Sequence, residues 1–249
     1  MLKEERQQLI LNEVELHNRV LLTDLSEKLD VSVDTVRRDV KELDAGSKLR
    51  KVHGGAISLG YTHTSTRSSN IYALNEKMAI AEKAIGLLRE GDVIFIDGGT
   101  TCLEMARMIP PKLRLSCFTF SLPVALQLAG MPNVDLIFIG GRISKESMIS
   151  NGMYTIQRLA EMRFDYAFIG TGYVDALHGL TEFDWDVVQL KKAVINASKK
   201  TILLCISEKL NSQHRFKTCD IHAINSMITE LSPENKLLNP FRNQDLRLL

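Results

Sequence analysis

IFIDGGTTCLEM, residues 94–105, decides how this chain folds. An apolar run ends in an acid, a glycine pair and two threonines, and the letters that follow are helical. The junction has a chemistry as well as a shape. Glycines let the backbone come close to an anion, the first amides of a helix are unpaired donors, and threonine hydroxyls add more. A phosphate fits there. A tight strand-to-helix turn capped by Thr100 or Thr101 fits the same letters.

The same alternation runs along the chain on both sides. NIYALNEKMAIAEKAIGLL reads as a helix, VIFID (93–97) as a buried strand, TTCLEMARMI as a helix and LRLSCFT (113–119) as a strand. PVALQLAG (helix), VDLIFIGG (134–141, strand), MYTIQRLAEM (helix), DYAFIG (165–170, strand) and DWDVVQLKKAVINAS (helix) follow. TILLCIS (201–207) and IHAINSMIT close the series as strands. Apolar strands with intervening helices predict a mostly parallel sheet covered on both faces. Ligands of such sheets sit at the carboxyl ends of the strands. Asp97, Gly98, Gly99, Thr100 and Thr101 fall at one such end, and Thr119, Ser121, Gly140 and Gly170 at others. Each alone is also ordinary turn chemistry. Lys77, Lys191 and Lys209 are cations able to neutralise a phosphate dianion, or else solvated surface charges.

Upstream the texture changes. Leu9, Ile10, Val14 and His17 recur at helical spacing, and Thr23 is placed to cap a second short helix holding Leu25 and Leu29. In VSVDTVRRDVKEL (31–43) Ser32 is an N-cap, and Val33, Val36, Val40 and Leu43 form one apolar stripe. At about 100° per residue the stripe lies opposite Arg38, with Asp34, Thr35, Lys41 and Glu42 around it and Arg37 on the shoulder. Thr35 and Arg38 are side chains of the kind that reach base edges. KLRKVHGGAI then reads as a strand and turn carrying Lys48, Arg50 and Lys51, a basic wing. Residues 1–31 hold four basic and seven acidic side chains, and residues 32–52 six basic and four acidic. Positive charge is thus concentrated on the third helix and the wing, where phosphates would be met.

Composition excludes several classes. The chain has 249 residues, 45% hydrophobic and 24% charged, with a formal net charge of +1, which leaves room for a local basic patch. No apolar run approaches the roughly 20 residues that cross a bilayer, so no membrane partner is expected. Cys102, Cys117, Cys205 and Cys219 are scattered without metal-ligand spacing and read as reduced thiols of a cytoplasmic protein. No metal cluster, Ser/His/acid set or long glycine-rich nucleotide fingerprint is present, so neither a cofactor nor a catalytic set is expected. Asp97 and Glu104 are the candidate bases if the glycine pair served catalysis, and Trp185 reads as packing.

VSVDTVRRDVKEL followed by KLRKVHGGAI resembles the helix-turn-helix and wing of the DeoR/GlpR-type bacterial transcriptional regulators. IDGGTTCLEMA, TFSLPVA, FIGGRI, DYAFIGTGYVDALHGLT, LKKAVINAS and LLCISEKL resemble that family's sensor domain, over about residues 3 to 229. The resemblance implies a winged helix-turn-helix at 1–58, a linker at 59–70, an α/β sensor at 71–235 resembling ribose-5-phosphate isomerase and CoA transferases, and a tail at 236–249. It implies a regulator, expected to repress carbohydrate genes, that binds double-stranded operator DNA as a homo-oligomer (dimer or tetramer) and answers to a small phosphorylated sugar or related metabolite. Ser32, Thr35, Arg37, Arg38 and Asp39 match the recognition helix, and His53, Gly54 and Gly55 the wing. Lys77, Asp97, Gly99, Thr100, Thr101 and Lys209 match the effector site. Phe120 and Ile206 stand where the family commonly has asparagine and aspartate, and both are expected to bring apolar bulk to the pocket. The alternative is a sugar-phosphate isomerase or transferase using Glu104 or Asp97 as base; the basic head argues against it.

Overall fold

Ile10 and Val14 fall one helical turn apart and are fully buried, which makes Lys3–His17 the first helix, α1, of a small head. The computed structural model describes residues 1–59 and 71–249 and divides the chain into two units, Met1–Tyr72 and Ala73–Leu249. After α1 come β1 (Arg19–Leu21), α2 (Leu22–Leu29), α3 (Val33–Ala45), β2 (Arg50–Val52) and β3 (Gly55–Ile57). Thr23 does not cap α2: the helix begins at Leu22, and the Thr23 hydroxyl is turned to Asp24. Ser32 does cap α3, accepting the Thr35 amide, and Val36, Val40 and Leu43 of the expected stripe are buried. Ile10, Val14, Val20, Leu22, Leu25, Leu29, Leu49 and Ala56 form one apolar cluster with them.

The wing is a hairpin of β2 and β3, with Val52 opposite Gly55, and β3 pairs on its other side with β1. A side chain at Gly55 could not be accommodated, since a Cβ there would sit 2.3 Å from the Val20 carbonyl oxygen. The linker expected at 59–70 lies, apart from Leu59, outside the described residues.

The body opens with α4 (Leu74–Ile85), β4 (Val93–Ile96), α5 (Thr100–Met108), β5 (Leu115–Thr119), α6 (Leu122–Leu128) and β6 (Val134–Phe138). A two-stranded hairpin, β7 (Arg142–Ile143) and β8 (Ser150–Asn151), leads into α7 (Met153–Ala160) and β9 (Phe164–Ile169). Next come β10 (Tyr173–Asp175), β11 (Gly179–Glu182), α8 (Trp185–Asn196), β12 (Ser198–Leu204), β13 (Phe216–Cys219) and β14 (Ser226–Ile228). Last are α9 (Asn239–Arg242) and β15 (Arg247–Leu248).

Among the described residues the main sheet has seven strands in the order β15-β14-β12-β9-β4-β5-β6, every pairing parallel. Ile94, Phe95, Ile96, Ala167, Phe168 and Ile169 are wholly buried, as strands covered on both faces must be. IHAINSMIT is only partly strand: Ile221–Ala223 is a 3-10 turn before β14. The segment 236–249, expected as a tail, instead buries Leu238 and Phe241 and supplies the edge strand β15, so the body extends to Leu249. β10, β11 and β13 form a small antiparallel sheet that strand-helix alternation did not anticipate.

Candidate functional site

From β4 the chain moves one way across the sheet, through β5 to β6; on returning it enters beside β4 as β9 and moves the other way through β12 to β14 and β15. The carboxyl ends of β4 and β9 therefore flank the point where the winding reverses, the place where open α/β sheets bind ligands. Asp97 follows β4 and Gly170 follows β9, and a carboxylate ties them together. Asp97 accepts the Gly98 amide through Oδ1 at 2.7 Å and the Gly170 amide through Oδ2 at 3.1 Å. Gly99 turns the chain into α5 with φ +106, a conformation that disfavours side chains. The first intrahelical bond runs from the Leu103 amide to the Gly99 carbonyl. The amides of Thr100, Thr101 and Cys102 precede it and have no intrahelical acceptor, so they form the positive end of α5.

Cations surround this end. Lys191, from α8, is buried and donates to Glu182 and, at 2.8 Å, to the Gly170 carbonyl; its Nζ lies 3.9 Å from Asp97 Oδ2. Burial alone would pull its ammonium down, but Glu182 and Asp97 outweigh that and hold it above the usual lysine range. Burial pushes the Asp97 carboxyl up, opposed by Lys191 and the two amides. Lys191 is thereby engaged inside the fold and is not a free phosphate ligand. Glu182, which also accepts the Gly172 amide at 2.9 Å, gave no signal in the sequence, because nothing in GLTEF separates a buried ligand of lysine from a strand-end acid.

Lys209 differs. It stands in the 3-10 turn after β12, donates to the Thr171 carbonyl at 3.0 Å, and has no carboxylate at ion-pair distance among the described residues. Desolvation pulls its ammonium below the ordinary lysine value. Gly170, Thr171 and Lys209 thus meet Asp97–Thr101 across the neighbouring ends of β4, β9 and β12.

The other expected effector residues make contacts within the fold. The Thr119 hydroxyl accepts the Ser121 amide, and Ser121 caps α6. Gly140 offers its carbonyl to the Thr155 hydroxyl. Lys77, on α4, is buried beside Glu104 of α5; burial pushes the Glu104 carboxyl up, opposed by Arg107 and Lys77. Glu104 pairs with Arg107. Phe120 does not bring bulk to the crevice: it is turned into the core, its ring 5.1 Å from that of Phe95. Ile206 is buried as well, its carbonyl accepting the Lys209 amide. Trp185, expected as packing, is 55% exposed, with its edge toward Phe216. Cys102, Cys117 and Cys205 are buried free thiols, and burial pushes Cys205 up to about 12.

In the head, α3 presents Arg37, Arg38 and Lys41 to solvent, and the wing presents Arg50, Lys51 and His53. Arg38, Lys41 and Arg50 make no ion pair among the described residues. Arg37 is paired with Asp34 on the preceding turn, and the Ser32 hydroxyl is engaged with Thr35 as the helix cap. Asp39 is the clear departure from the expected recognition face. It is 2% exposed and held by Arg6 of α1. The stripe arithmetic placed Arg38 outward, and one residue further round is the flank of the helix that α1 covers.

A winged helix-turn-helix that exposes Arg38, Lys41 and Arg50, joined in one chain to a parallel α/β body, is the architecture of a DNA-binding regulator. Residues 6–62 match the DeoR-like helix-turn-helix domain and residues 73–231 the DeoR C terminal sensor domain. The chain belongs to the DeoR family of transcriptional regulators. It is 32% identical over 94% of its length to an uncharacterized HTH-type transcriptional regulator of Haemophilus influenzae, of which 93% is covered. It is 28% identical over 98% of its length to the glycerol-3-phosphate regulon repressor of that organism (95% covered). With the lactose phosphotransferase system repressor of Lactococcus lactis it shares 32% identity, over 82% of each chain. Among solved structures, ribose 5-phosphate isomerase A of Methanocaldococcus jannaschii is slightly similar, with TM-score 0.40 and 19% identity over 54% of this chain and 53% of that one. No helix among the described residues is long and apolar enough to cross a membrane.

Proposed function

We propose that the chain represses genes of carbohydrate metabolism and releases its operator when a phosphorylated sugar or related metabolite binds at the α5 N-terminus. The observation that carries this reading is the meeting of two positive elements at the switch point of the sheet: the amides of Thr100, Thr101 and Cys102, which have no intrahelical acceptor, and the half-buried Lys209 ammonium, which donates to a carbonyl and has no carboxylate beside it among the described residues. A phosphate dianion satisfies both at once. Gly98, Gly99 and Gly170 line its approach. The names of two relatives, repressors of a glycerol-3-phosphate regulon and of a lactose phosphotransferase system, support an effector of this class. Turnover is disfavoured because Asp97 is occupied by two amides and Glu104 by Arg107. Binding acts by population shift: the effector favours the head arrangement that grips DNA less well. In a homo-oligomer, two heads reach successive half-sites, with Arg38 and Thr35 at the bases and Lys41, Arg50 and Lys51 at phosphates.

The test is anisotropy on duplex DNA from upstream of the chain's own coding region, with a panel of sugar phosphates and their dephosphorylated counterparts, beside thermal shifts of the full chain. One phosphorylated compound should lower DNA affinity and, at about a hundred times its dissociation constant, add about 2.7 kcal/mol of stability. If no phosphorylated compound does either, the reading fails.

A further inference from the structure

We propose that Arg6 and Asp39 are positioning residues for operator recognition: the guanidinium of α1 sets the angle at which α3 offers Thr35 and Arg38 to the bases. The proposal rests on α3 being the helix that reads DNA. Asp39 follows Arg38 directly and so leaves α3 about a quarter-turn away from it. Its side chain is 3% exposed and that of Arg6 14%, so neither is free to supply a phosphate contact.

The contact between them is a fork. Arg6 Nε donates to Asp39 Oδ2 at 2.5 Å and Nη2 to Oδ1 at 3.3 Å, and Gln7 Nε2 reaches Oδ1 at 3.4 Å. Gln7 also donates to Glu42 at 2.9 Å, and Lys3 pairs with Glu42 at 2.7 Å. The first turns of α1 therefore hold two acids, neighbours along one flank of α3. The two helices also meet in the apolar cluster that holds Ile10 and Val14 with Val36, Val40 and Leu43. Apolar packing is non-directional and tolerates a small rotation or slide of one helix on the other. A planar two-bond fork does not, because both oxygens must stay in register with both nitrogens. Base readout depends on that register, whereas attraction to the phosphate backbone does not.

The full chain is used to enrich a duplex from a random pool, and the enriched and scrambled duplexes are then titrated across about 50 to 200 mM salt. Asp39→Asn and Arg6→Lys, each checked for native circular dichroism, should lower the ratio of specific to scrambled affinity about tenfold or more. Scrambled affinity should stay within about threefold of wild type, with an unchanged salt slope. The double variant should be no worse in ratio than either single one, as for two halves of one device. Arg6→Lys keeps the charge and removes only the fork, so it decides alone if Asp39→Asn fails to fold. A wild-type ratio in a folded variant overturns the proposal. So does a parallel fall of both affinities with a shallower slope, which makes Arg6 a phosphate contact, and so does unfolding of both variants, which leaves the pair a stability element only. A wild-type chain that enriches no duplex instead removes the DNA-reading assignment of α3, a result distinct from variants that discriminate as well as wild type.

Discussion

Lys209 carries the sharpest consequence at the scale of one residue. Its ammonium is held below the ordinary lysine value chiefly by desolvation. A bound dianion reverses that by stabilising the charged form, so anion binding and Lys209 protonation favour each other. A phosphate group gains its second charge near pH 6. Affinity for a phosphorylated effector should therefore rise through about pH 6 and decline as pH passes the lowered Lys209 value, earlier than an ordinary lysine allows. Calorimetric titration from acid to alkaline pH measures this. Lys209→Met should weaken binding and remove the alkaline limb, and an alkaline limb that survives in that variant assigns the cation elsewhere. Lys191, equally basic in the sequence, has no such role, because Glu182 already occupies it.

At the scale of elements, the wing shows what a single missing side chain permits. Gly55 lets β3 lie between β1 and β2, and a Cβ there would meet the Val20 carbonyl at 2.3 Å. Since a backbone oxygen cannot turn aside as a side chain can, Gly55→Ala should destabilise the head by about 1–3 kcal/mol. Denaturant unfolding of the full chain, followed by a probe in the head, measures the loss; wild-type stability would show that β1 and β3 part easily. Helix α3 was legible because its cap and stripe are local properties of thirteen residues. β1 was not, because three residues between two helices carry no period and become a strand only when β3 arrives beside them. β13 escaped for the same reason, because its partner β11 is distant in sequence, while β10 and β11 form a close hairpin of strands too short to show a period.

At the scale of the whole molecule, the body is closed by contacts that cross from strand end to strand end. Glu182 joins β11 to α8 through Lys191, and Lys191 reaches the β9 end at Gly170 and the β4 end at Asp97. All these groups are buried or nearly so, and removing one charge leaves its partner poorly compensated in a low-dielectric site. Glu182→Gln should cost about 3–5 kcal/mol and lower the melting temperature of the body by roughly 10 °C. Differential scanning calorimetry checks it; an unchanged melting temperature would mean that Asp97 alone balances Lys191. β15 acts at the same scale, since a segment that reads as a polar tail completes the edge of the sheet.

The sequence alone determined the helical head with its basic third helix and wing, the parallel α/β body, and the glycine-threonine junction between a buried strand and a helix. Each is written in local periodicity, capping residues or loop chemistry, which act over a few neighbouring residues. Only the tertiary structure decided which strands are neighbours, and hence that Asp97, Gly170, Thr171 and Lys209 meet at adjoining strand ends. It also decided which of several charged side chains are internal, Asp39 with Arg6 and Lys191 with Glu182. Charge pairing depends on distance in space, and residues 33 positions apart, as Arg6 and Asp39 are, meet only after the chain has folded.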